Sequence, residues 1–148
     1  MSANQIGCIV FRQKNNKIEF LLLKRIPEKG GFWQSITGEV EDENLKDAVL
    51  REAKEEAGIE NSEILQLIEN VNSFDYENQK KGCAVKEYVF GLEVSTNQEI
   101  FLDKNVYKEH DEFKWVSQNE ALDLLKWESS KVSIKKLVKI LEQTKESI

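Results

Sequence analysis

Three glutamates fall in line with the apolar stripe of one predicted helix. The helix is predicted over Leu45 to Ala57, because apolar residues recur there at spacings of three and four and Gly58 follows as a C-terminal cap. At about 100° per residue, Glu52, Glu55 and Glu56 share a sector roughly 100° wide. A solvated acidic face would lie opposite the apolar stripe, not in line with it. The fold must therefore accommodate carboxylates at the C-terminal end of the helix face that packs against the core.

These carboxylates have little local stabilisation. Like charges one helical turn apart destabilise a helix by a few tenths of a kcal/mol, and negative charge near the C-terminal end opposes the helix dipole. A divalent cation would resolve the conflict, since Mg²⁺ and Mn²⁺ prefer oxygen ligands. The alternative is an ordinary solvated Glu/Lys helix. Periodicity alone favours neither of the two.

Composition restricts the partners that the chain can bind. The 148 residues suit a single domain over 1–148. The net charge of −6 and the pI near 5.0 argue against binding a long nucleic acid, which needs a basic stripe. A small phosphorylated ligand stays allowed, because a bound cation can invert the local field.

Two features indicate a cytoplasmic location. Cys8 and Cys83 lie far apart and form no metal-binding pair, so we expect two reduced thiols. No signal peptide is recognised in the N-terminal residues, and the longest apolar run is far too short to cross a bilayer. We therefore expect a soluble protein with no membrane partner.

The remaining elements alternate between strands and helices. A turn at Asn15-Asn16 separates the first two strands, and Ser117 with Glu120 matches a capping box at the start of a helix through Leu125. An amphipathic helix is predicted from Lys131 to Glu142. Strands are predicted over Ile6 to Phe11, Ile18 to Lys24, Phe32 to Ile36, Ile64 to Phe74, Val85 to Val94 and Phe113 to Val116. This pattern indicates an α/β or α+β sandwich around a mixed sheet.

The acidic helix also carries a motif. Gly38, Glu43 and the run Arg51-Glu52-Ala53-Lys54-Glu55-Glu56-Ala57-Gly58-Ile59 resemble the Nudix box, whose second half reads Arg-Glu-aliphatic-x-Glu-Glu-x-Gly-aliphatic. That half matches at every position when Ala53 counts as the aliphatic residue. The first half departs from the family pattern, because four residues rather than five separate Gly38 from Glu43. The shorter loop affects any metal contact from the Gly38 carbonyl and leaves the helix unchanged.

Three further segments resemble one branch of that family. Phe32-Trp33-Gln34-Ser35-Ile36-Thr37-Gly38 is similar to a segment of the bacterial dihydroneopterin triphosphate (or dATP) pyrophosphohydrolases. The stretches from Glu109 to Trp115 and from Leu125 to Ser129 resemble later segments of the same enzymes. Diadenosine tetraphosphate hydrolases of the same superfamily also carry a Glu-His…Trp stretch.

The resemblance implies a fold and an activity. The fold would be a Nudix-type α/β/α sandwich with a central mixed β-sheet. The activity would be Mg²⁺-dependent, with Mn²⁺ as a substitute, cleaving a nucleoside or pterin triphosphate to a monophosphate and pyrophosphate. The alternatives are asymmetric hydrolysis of diadenosine tetraphosphate and a non-catalytic, nucleotide-sensing Nudix domain. The partner would be a small polyphosphate, and a homodimer stays open.

The resemblance also implies roles for individual residues. The metal would be held by Glu52, Glu55, Glu56 and Glu109. Glu52, Glu55 and Glu109 would act in catalysis, together with Arg51 as an orienting group paired with Glu43. Substrate contacts would come from Arg25, Lys24, Thr37 and Trp33, with Trp127 and Ser129 closing the base end. We expect His110 to shape its loop rather than act as a base.

Overall fold

The computed structural model describes residues 2–80, 82–102 and 109–146. Its described part contains seven strands and three α-helices. The strands are β1 (Ser2–Lys14), β2 (Lys17–Arg25), β3 (Trp33–Gln34), β4 (Ile36–Glu39), β5 (Ile64–Asn78), β6 (Cys83–Val94) and β7 (His110–Val116). The helices are α1 (Leu45–Ala57), α2 (Gln118–Leu124) and α3 (Glu128–Glu146), and short 3₁₀ turns cover Pro27–Lys29 and Asn61–Glu63.

All seven strands form one mixed sheet around β1. Its main path runs β3-β2-β1-β6-β5, with β4 paired to β1 and β7 paired to β2. β1 is parallel to β6 and antiparallel to both β2 and β4. Along the same side of β1, residues Gln5 to Cys8 pair with β4, whereas Phe11 to Lys14 pair with β2. The strand therefore changes partner midway, and β4 lies beside its first half.

Strand alternation divides the core into two layers. On the side that we call the α1 face, Ile6, Cys8, Leu21 and Leu23 pack with α1 residues such as Val49. On the α3 face, the alternate residues of the same strands pack with α2 and α3. The strand residues are Ile9, Phe11, Phe20 and Leu22, and the helix residues are Ala121, Ile134, Leu137 and Leu141. Because β2 is apolar on both faces, it is covered on both, which confirms the predicted α/β/α sandwich with a central mixed sheet.

Local chemistry sets the ends of these elements. Asn15 and Asn16 adopt positive φ angles of 53° and 63°, as a two-residue hairpin turn requires. The side chain of Asn44 accepts a hydrogen bond from the Asp47 amide and begins α1, and Gly58 ends the helix at a φ of 70°. The helix occupies the predicted Leu45 to Ala57.

Other boundaries differ from the predictions. β5 continues to Asn78, beyond the predicted end at Phe74, because β6 supplies backbone partners along that whole stretch. α3 begins at Glu128, three residues before the predicted Lys131. Both cysteines are free thiols. Among the described helices, none has the length and apolar character needed to span a membrane.

The α3 layer provides a test of the packing. Leu137 is fully buried and contacts the position where a side chain on Gly91 would project. Leu137→Ala should destabilise the protein by about 2–5 kcal/mol through lost burial and a residual cavity. Urea denaturation measures the loss, with the exposed Lys139→Ala on the same helix as the control. Equal stability of the two variants would contradict this packing.

Candidate active site

Glu56 is a buried acid in the last turn of α1. Its exposed fraction is 4%, and its Oε2 has no hydrogen-bond partner in the described structure. Burial raises the pKa of Glu56 well above the usual range, and the Glu109 and Glu52 carboxyls raise it further. A buried carboxylate with an unpaired oxygen is costly. The fold therefore maintains an arrangement that favours a cation beside Glu56.

Glu109 and His110 approach Glu56 from the start of β7. One potential ligand atom from each of these three residues lies within 4.8 Å of the other two. Burial lowers the pKa of His110 to about 4, so its imidazole is neutral near pH 7. Gln34 Nε2 lies 2.8 Å from His110 Nε2 and donates to it when that nitrogen is unprotonated. The site thus combines carboxylate oxygens with one neutral imidazole.

Arg51 connects the acids of α1 to the preceding loop. Its Nη2 and Nε donate to Glu43 at 2.6–3.2 Å, and Nη2 also reaches the Glu39 carbonyl at 3.0 Å. Its Nη1 donates to Glu52 at 2.7 Å and to Glu55 at 3.2 Å. These hydrogen bonds raise the pKa of Arg51, and the guanidinium lowers the pKa of Glu43. The predicted Arg51–Glu43 pair is present despite the shortened loop.

Gly38 leaves room for the Glu52 side chain. A Cβ placed on Gly38 would lie 2.1 Å from Glu52 Cδ, well inside van der Waals contact. Glu52 therefore lies directly over the β4 backbone, between Gly38 and the Arg51 guanidinium. Burial raises the pKa of Glu52, whereas the hydrogen bond and charge of Arg51 oppose that shift. The glycine of the motif thus has a steric role that the spacing pattern alone does not state.

Two cations border the acid cluster. Lys29 Nζ lies 3.7 Å from Glu109 Oε1, and the positive charge of Arg25 lowers the pKa of both Glu56 and His110. Arg25 was predicted to contact phosphate. Lys29 was not predicted, since a lysine in a Pro-Gly loop carries no distinguishing sequence signal.

The structure separates the predicted site residues into groups. The carboxyls of Glu52 and Glu109 raise the pKa of Glu56, and Glu109 also shares a hydrogen bond with it, so the three acids lie close together. Glu55 is 47% exposed and is held by Arg51, so only two of the three helix glutamates face inward. The expectation that all three glutamates lie on the inward face of α1 is therefore wrong. The predicted sector is wide enough that its edge, at Glu55, is exposed to solvent.

Three predicted substrate contacts lie on the other side of the sheet. Thr37 is adjacent to Ile36, which belongs to the α1 face, and so projects toward the α3 face. Trp33 is partly buried and packs against the α3 layer. Lys24 pairs with Trp33 in the sheet, and its Nζ lies 3.8 Å from Glu112 Oε2. The structure does not bring these residues to the acid cluster, because strand alternation places them opposite it.

Aromatic side chains lead away from Arg25. Its guanidinium lies 5.7 Å from the centroid of Phe32, whose ring meets Trp127 edge to face at 6.0 Å. Lys126 Nζ lies over both rings, at 5.0 and 4.8 Å. Trp127 is 52% exposed. An exposed indole at the end of this series can stack on a flat heterocycle.

The residues present fit a divalent cation. Glu56 Oε2 has no hydrogen-bond donor, and a bound cation would supply the positive partner that this oxygen lacks. Carboxylate oxygens are also the ligands that Mg²⁺ and Mn²⁺ prefer. Electrostatic repulsion among Glu52, Glu56 and Glu109 would also be relieved by positive charge.

The chain belongs to the NUDIX domain family, whose model matches residues 1–137. Several relatives match over most of both chains, including the following two. The asymmetrical bis(5′-nucleosyl)-tetraphosphatase of Mus musculus is 30% identical over 90% of this chain and 92% of its own length. The dihydroneopterin triphosphate diphosphatase of Haemophilus influenzae is 29% identical over 86% and 82%.

Other relatives are longer. The chain spans 35% of the length of an octanoyltransferase from Myxococcus xanthus (29% identical over 88% of this chain) and 58% of the chloroplastic Nudix hydrolase 21 of Arabidopsis thaliana (31% over 80%). Among solved structures, a C. elegans Ap4A hydrolase complex has a TM-score of 0.81 at 24% identity, covering 95% of this chain and 98% of that one. That likeness supports the fold.

The buried acid yields one prediction about stability. Glu56→Gln should raise the melting temperature of the metal-free protein in EDTA, and more so as the pH rises, because an amide costs less to bury without full pairing than the ionised carboxylate. Calorimetry measures the change, with the exposed Glu142→Gln as the matched control. A lower melting temperature for Glu56→Gln than for that control would contradict the described surroundings of Glu56.

Gly38 yields a second prediction. Gly38→Ala should displace Glu52 and weaken Mg²⁺ binding by about 10- to 100-fold, a typical cost of disturbing groups around a metal site. Titration calorimetry with Mg²⁺ measures the affinity, and circular dichroism confirms folding. Gly82→Ala strains a backbone at a φ of 63° and its Cβ meets no atom within 4 Å, so it controls for strain away from the acids and should keep the Mg²⁺ affinity. Unchanged Mg²⁺ affinity in Gly38→Ala would remove Glu52 from the site.

Proposed function

We propose that this chain is a single-domain, Mg²⁺-dependent pyrophosphohydrolase, with Mn²⁺ as an alternative ion. Its substrate is a nucleoside or pterin triphosphate, which it cleaves to a monophosphate and pyrophosphate. The observation that carries the proposal is the cluster of Glu52, Glu56 and Glu109, with its unpaired buried oxygen, beside Arg25 and Lys29. Phosphoanhydride hydrolysis needs carboxylates that hold a cation together with positively charged side chains that bind phosphate.

The acids hold the ion and handle the proton. Glu52, Glu56 and Glu109 would bind the metal, with Glu55 joining from the edge of the cluster. When bound, the ion lowers the pKa of an attacking water and neutralises charge on the phosphates. Glu109 is only partly buried and accompanied by Lys29, so it is placed to accept a proton from that water. Arg51 donates hydrogen bonds to Glu52 and Glu55 and would act by orienting them.

Cations and aromatic groups place the substrate. Arg25 and Lys29 would bind phosphate oxygens, with the chain of Phe32 and Trp127 leading from Arg25 to an exposed indole. This series supports a flat ring at one end of the ligand and phosphates at the other. Thr37, Trp33 and Lys24 lie on the α3 face and would contact the ring end of the substrate. The two free thiols support a cytoplasmic location.

Asymmetric hydrolysis of diadenosine tetraphosphate is the second candidate. It is favoured by the Mus musculus relative, which matches 92% of its own length. That reaction uses the same acids and differs in the ring and phosphate contacts. Oligomeric state, including a homodimer, does not distinguish the two candidates.

A substrate panel tests the proposal. The protein is incubated with Mg²⁺ and dihydroneopterin triphosphate, dATP, 8-oxo-dGTP, diadenosine tetraphosphate or ADP-ribose, and the phosphate products are separated. We expect monophosphate and pyrophosphate from a triphosphate. ATP as a product from diadenosine tetraphosphate alone would favour the second candidate, and no hydrolysis of any compound would overturn both.

Variants connect that activity to the acid cluster. Glu52→Gln and Glu56→Gln should each lower kcat by about 100-fold or more, since each removes charge at the reacting centre. Glu109→Ala should have a smaller effect. Glu142→Gln, an exposed acid in α3, should retain full activity. Near-normal hydrolysis by Glu52→Gln or Glu56→Gln would refute their assignment as ligands.

A further inference from the structure

A bulge at the start of β7 turns His110 toward the acid cluster. The pairing of β7 with β2 changes register between Lys24 and Arg25, so that His110 rather than Asp111 lies opposite Arg25. Without the bulge, strand alternation would put Asp111 on the α1 face and His110 on the opposite face. Bulges often redirect a side chain beside an active site. Here the bulge brings the one histidine of the chain to the side of the sheet that holds Glu56.

Gln34 holds the imidazole from across β2. Leu23 pairs with Gln34 of β3 on one side and with Phe113 of β7 on the other, so the two strands flank β2. Gln34 is 8% exposed and His110 is 3% exposed, and the Nε2 atoms of these two side chains lie 2.8 Å apart. Because Gln34 occupies Nε2, the ring nitrogen left for a second partner is Nδ1. Metal-binding histidines are usually held in this way through the nitrogen that does not bind the ion.

The potential ligand atoms of Glu56, Glu109 and His110 form a close set. Within the described ranges, no other three acidic, cysteine or histidine residues bring one ligand atom each within 4.8 Å of one another. Neighbouring ligands of an octahedral ion at about 2.1 Å lie roughly 3 to 4 Å apart, so small movements would close the set around an ion. Glu52 and Glu55 are instead bound by the Arg51 guanidinium. After the two acids, the donor closest to completing the site is therefore a nitrogen.

Glu56 gives an independent indication that a partner is missing from this set. Its carboxyl is 4% exposed, and no donor of the described residues, the imidazole included, reaches its Oε2. A hydrogen bond from a ring N–H would have satisfied that oxygen within the protein alone. A divalent ion would instead satisfy the carboxylate oxygen and a ring lone pair together.

We propose that His110 supplies an imidazole nitrogen to the ion that Glu56 and Glu109 bind, while Gln34 holds its other ring nitrogen. When Gln34 presents its amide oxygen, Nε2 carries the proton and Nδ1 keeps its lone pair for the ion. A half-turn of the amide exchanges its oxygen and nitrogen, so this state requires no other rearrangement. The inference rests on the proposed function, because it concerns the same metal site. It extends the all-carboxylate ligand set that the motif implies.

A nitrogen ligand changes which ions the site prefers. Mg²⁺ takes oxygen ligands, whereas imidazole favours the later first-row ions such as Co²⁺ and Ni²⁺. We therefore expect Co²⁺ to bind more tightly than Mg²⁺. We also expect the Co²⁺ affinity to depend on His110 and Gln34 much more strongly than the Mg²⁺ affinity does.

Spectroscopy of bound Mn²⁺ tests the ligand directly. The chain contains one histidine, so in tag-free protein any imidazole bound to the ion must be His110. Pulsed electron paramagnetic resonance with Mn²⁺ alone, without substrate, should show modulation from a directly bound nitrogen. The modulation should change when histidine is labelled with ¹⁵N. It should disappear in His110→Gln, with circular dichroism confirming that the variant is folded.

Titration calorimetry with Co²⁺ and Mg²⁺ tests the supporting contact in a variant that keeps the histidine. Gln34→Met retains the length of the side chain and removes its hydrogen bond. It should lower the Co²⁺ affinity by about 10- to 100-fold, the usual cost of removing a group that supports a metal ligand, and change the Mg²⁺ affinity much less. Gln13→Met, the same substitution on the α3 face beside Glu93, is the matched control and should leave both affinities unchanged.

The outcomes separate this inference from the proposed function. Mn²⁺ binding that is weakened in Glu56→Gln, with no ¹⁵N-sensitive signal in the wild type, would overturn His110 as a ligand and leave the hydrolase standing. Equal losses of Co²⁺ and Mg²⁺ affinity in Gln34→Met would also overturn it, because they would indicate a purely structural contact. A ¹⁵N-sensitive signal without hydrolysis of any compound would support the ligand and refute the proposed function. Absence of Mn²⁺ binding would overturn both.

Discussion

The contacts of Arg51 are the interaction on which the candidate site depends. One guanidinium joins the loop residue Glu43, the end of β4 and two acids of α1. Its planar fork supplies five N–H donors in fixed directions, which a lysine could not reproduce. Because those contacts cross from loop to strand to helix, the position of Glu52 relative to the sheet is set by a single charged group.

Local patterns predicted the elements with strong periodicity. The limits of α1 follow from its apolar spacing, its Asn44 cap and Gly58, all encoded within 15 residues of sequence. The Arg51–Glu43 pair was also predicted, because the resemblance to the family motif implies that this arginine orients the acids while paired with that glutamate. The two-layer core followed from β2, whose run of apolar residues needs cover on both sides.

Long-range pairing determined what the sequence did not reveal. His110 joins Glu56 only because β7 pairs with β2, and Lys29 reaches Glu109 only because the loop after β2 folds back beside it. The helical spacing of the three glutamates could not show that Glu55 lies at the solvent-exposed edge of that helix face. Glu87 carries no motif, and its burial beside Gln5 arises from β1 lying parallel to β6, a pairing between segments about 80 residues apart.

Consecutive residues of β4 face opposite sides of the sheet and so have different neighbours. Thr37 and Gly38 are consecutive, yet Thr37 projects to the α3 face and Gly38 lies beneath Glu52 on the α1 face. Residues on the α3 side can therefore diversify while the anhydride-splitting machinery stays intact. The same two-residue period makes the strand intolerant of length change, since inserting one amino acid would exchange the two sides and put a side chain where Glu52 must rest.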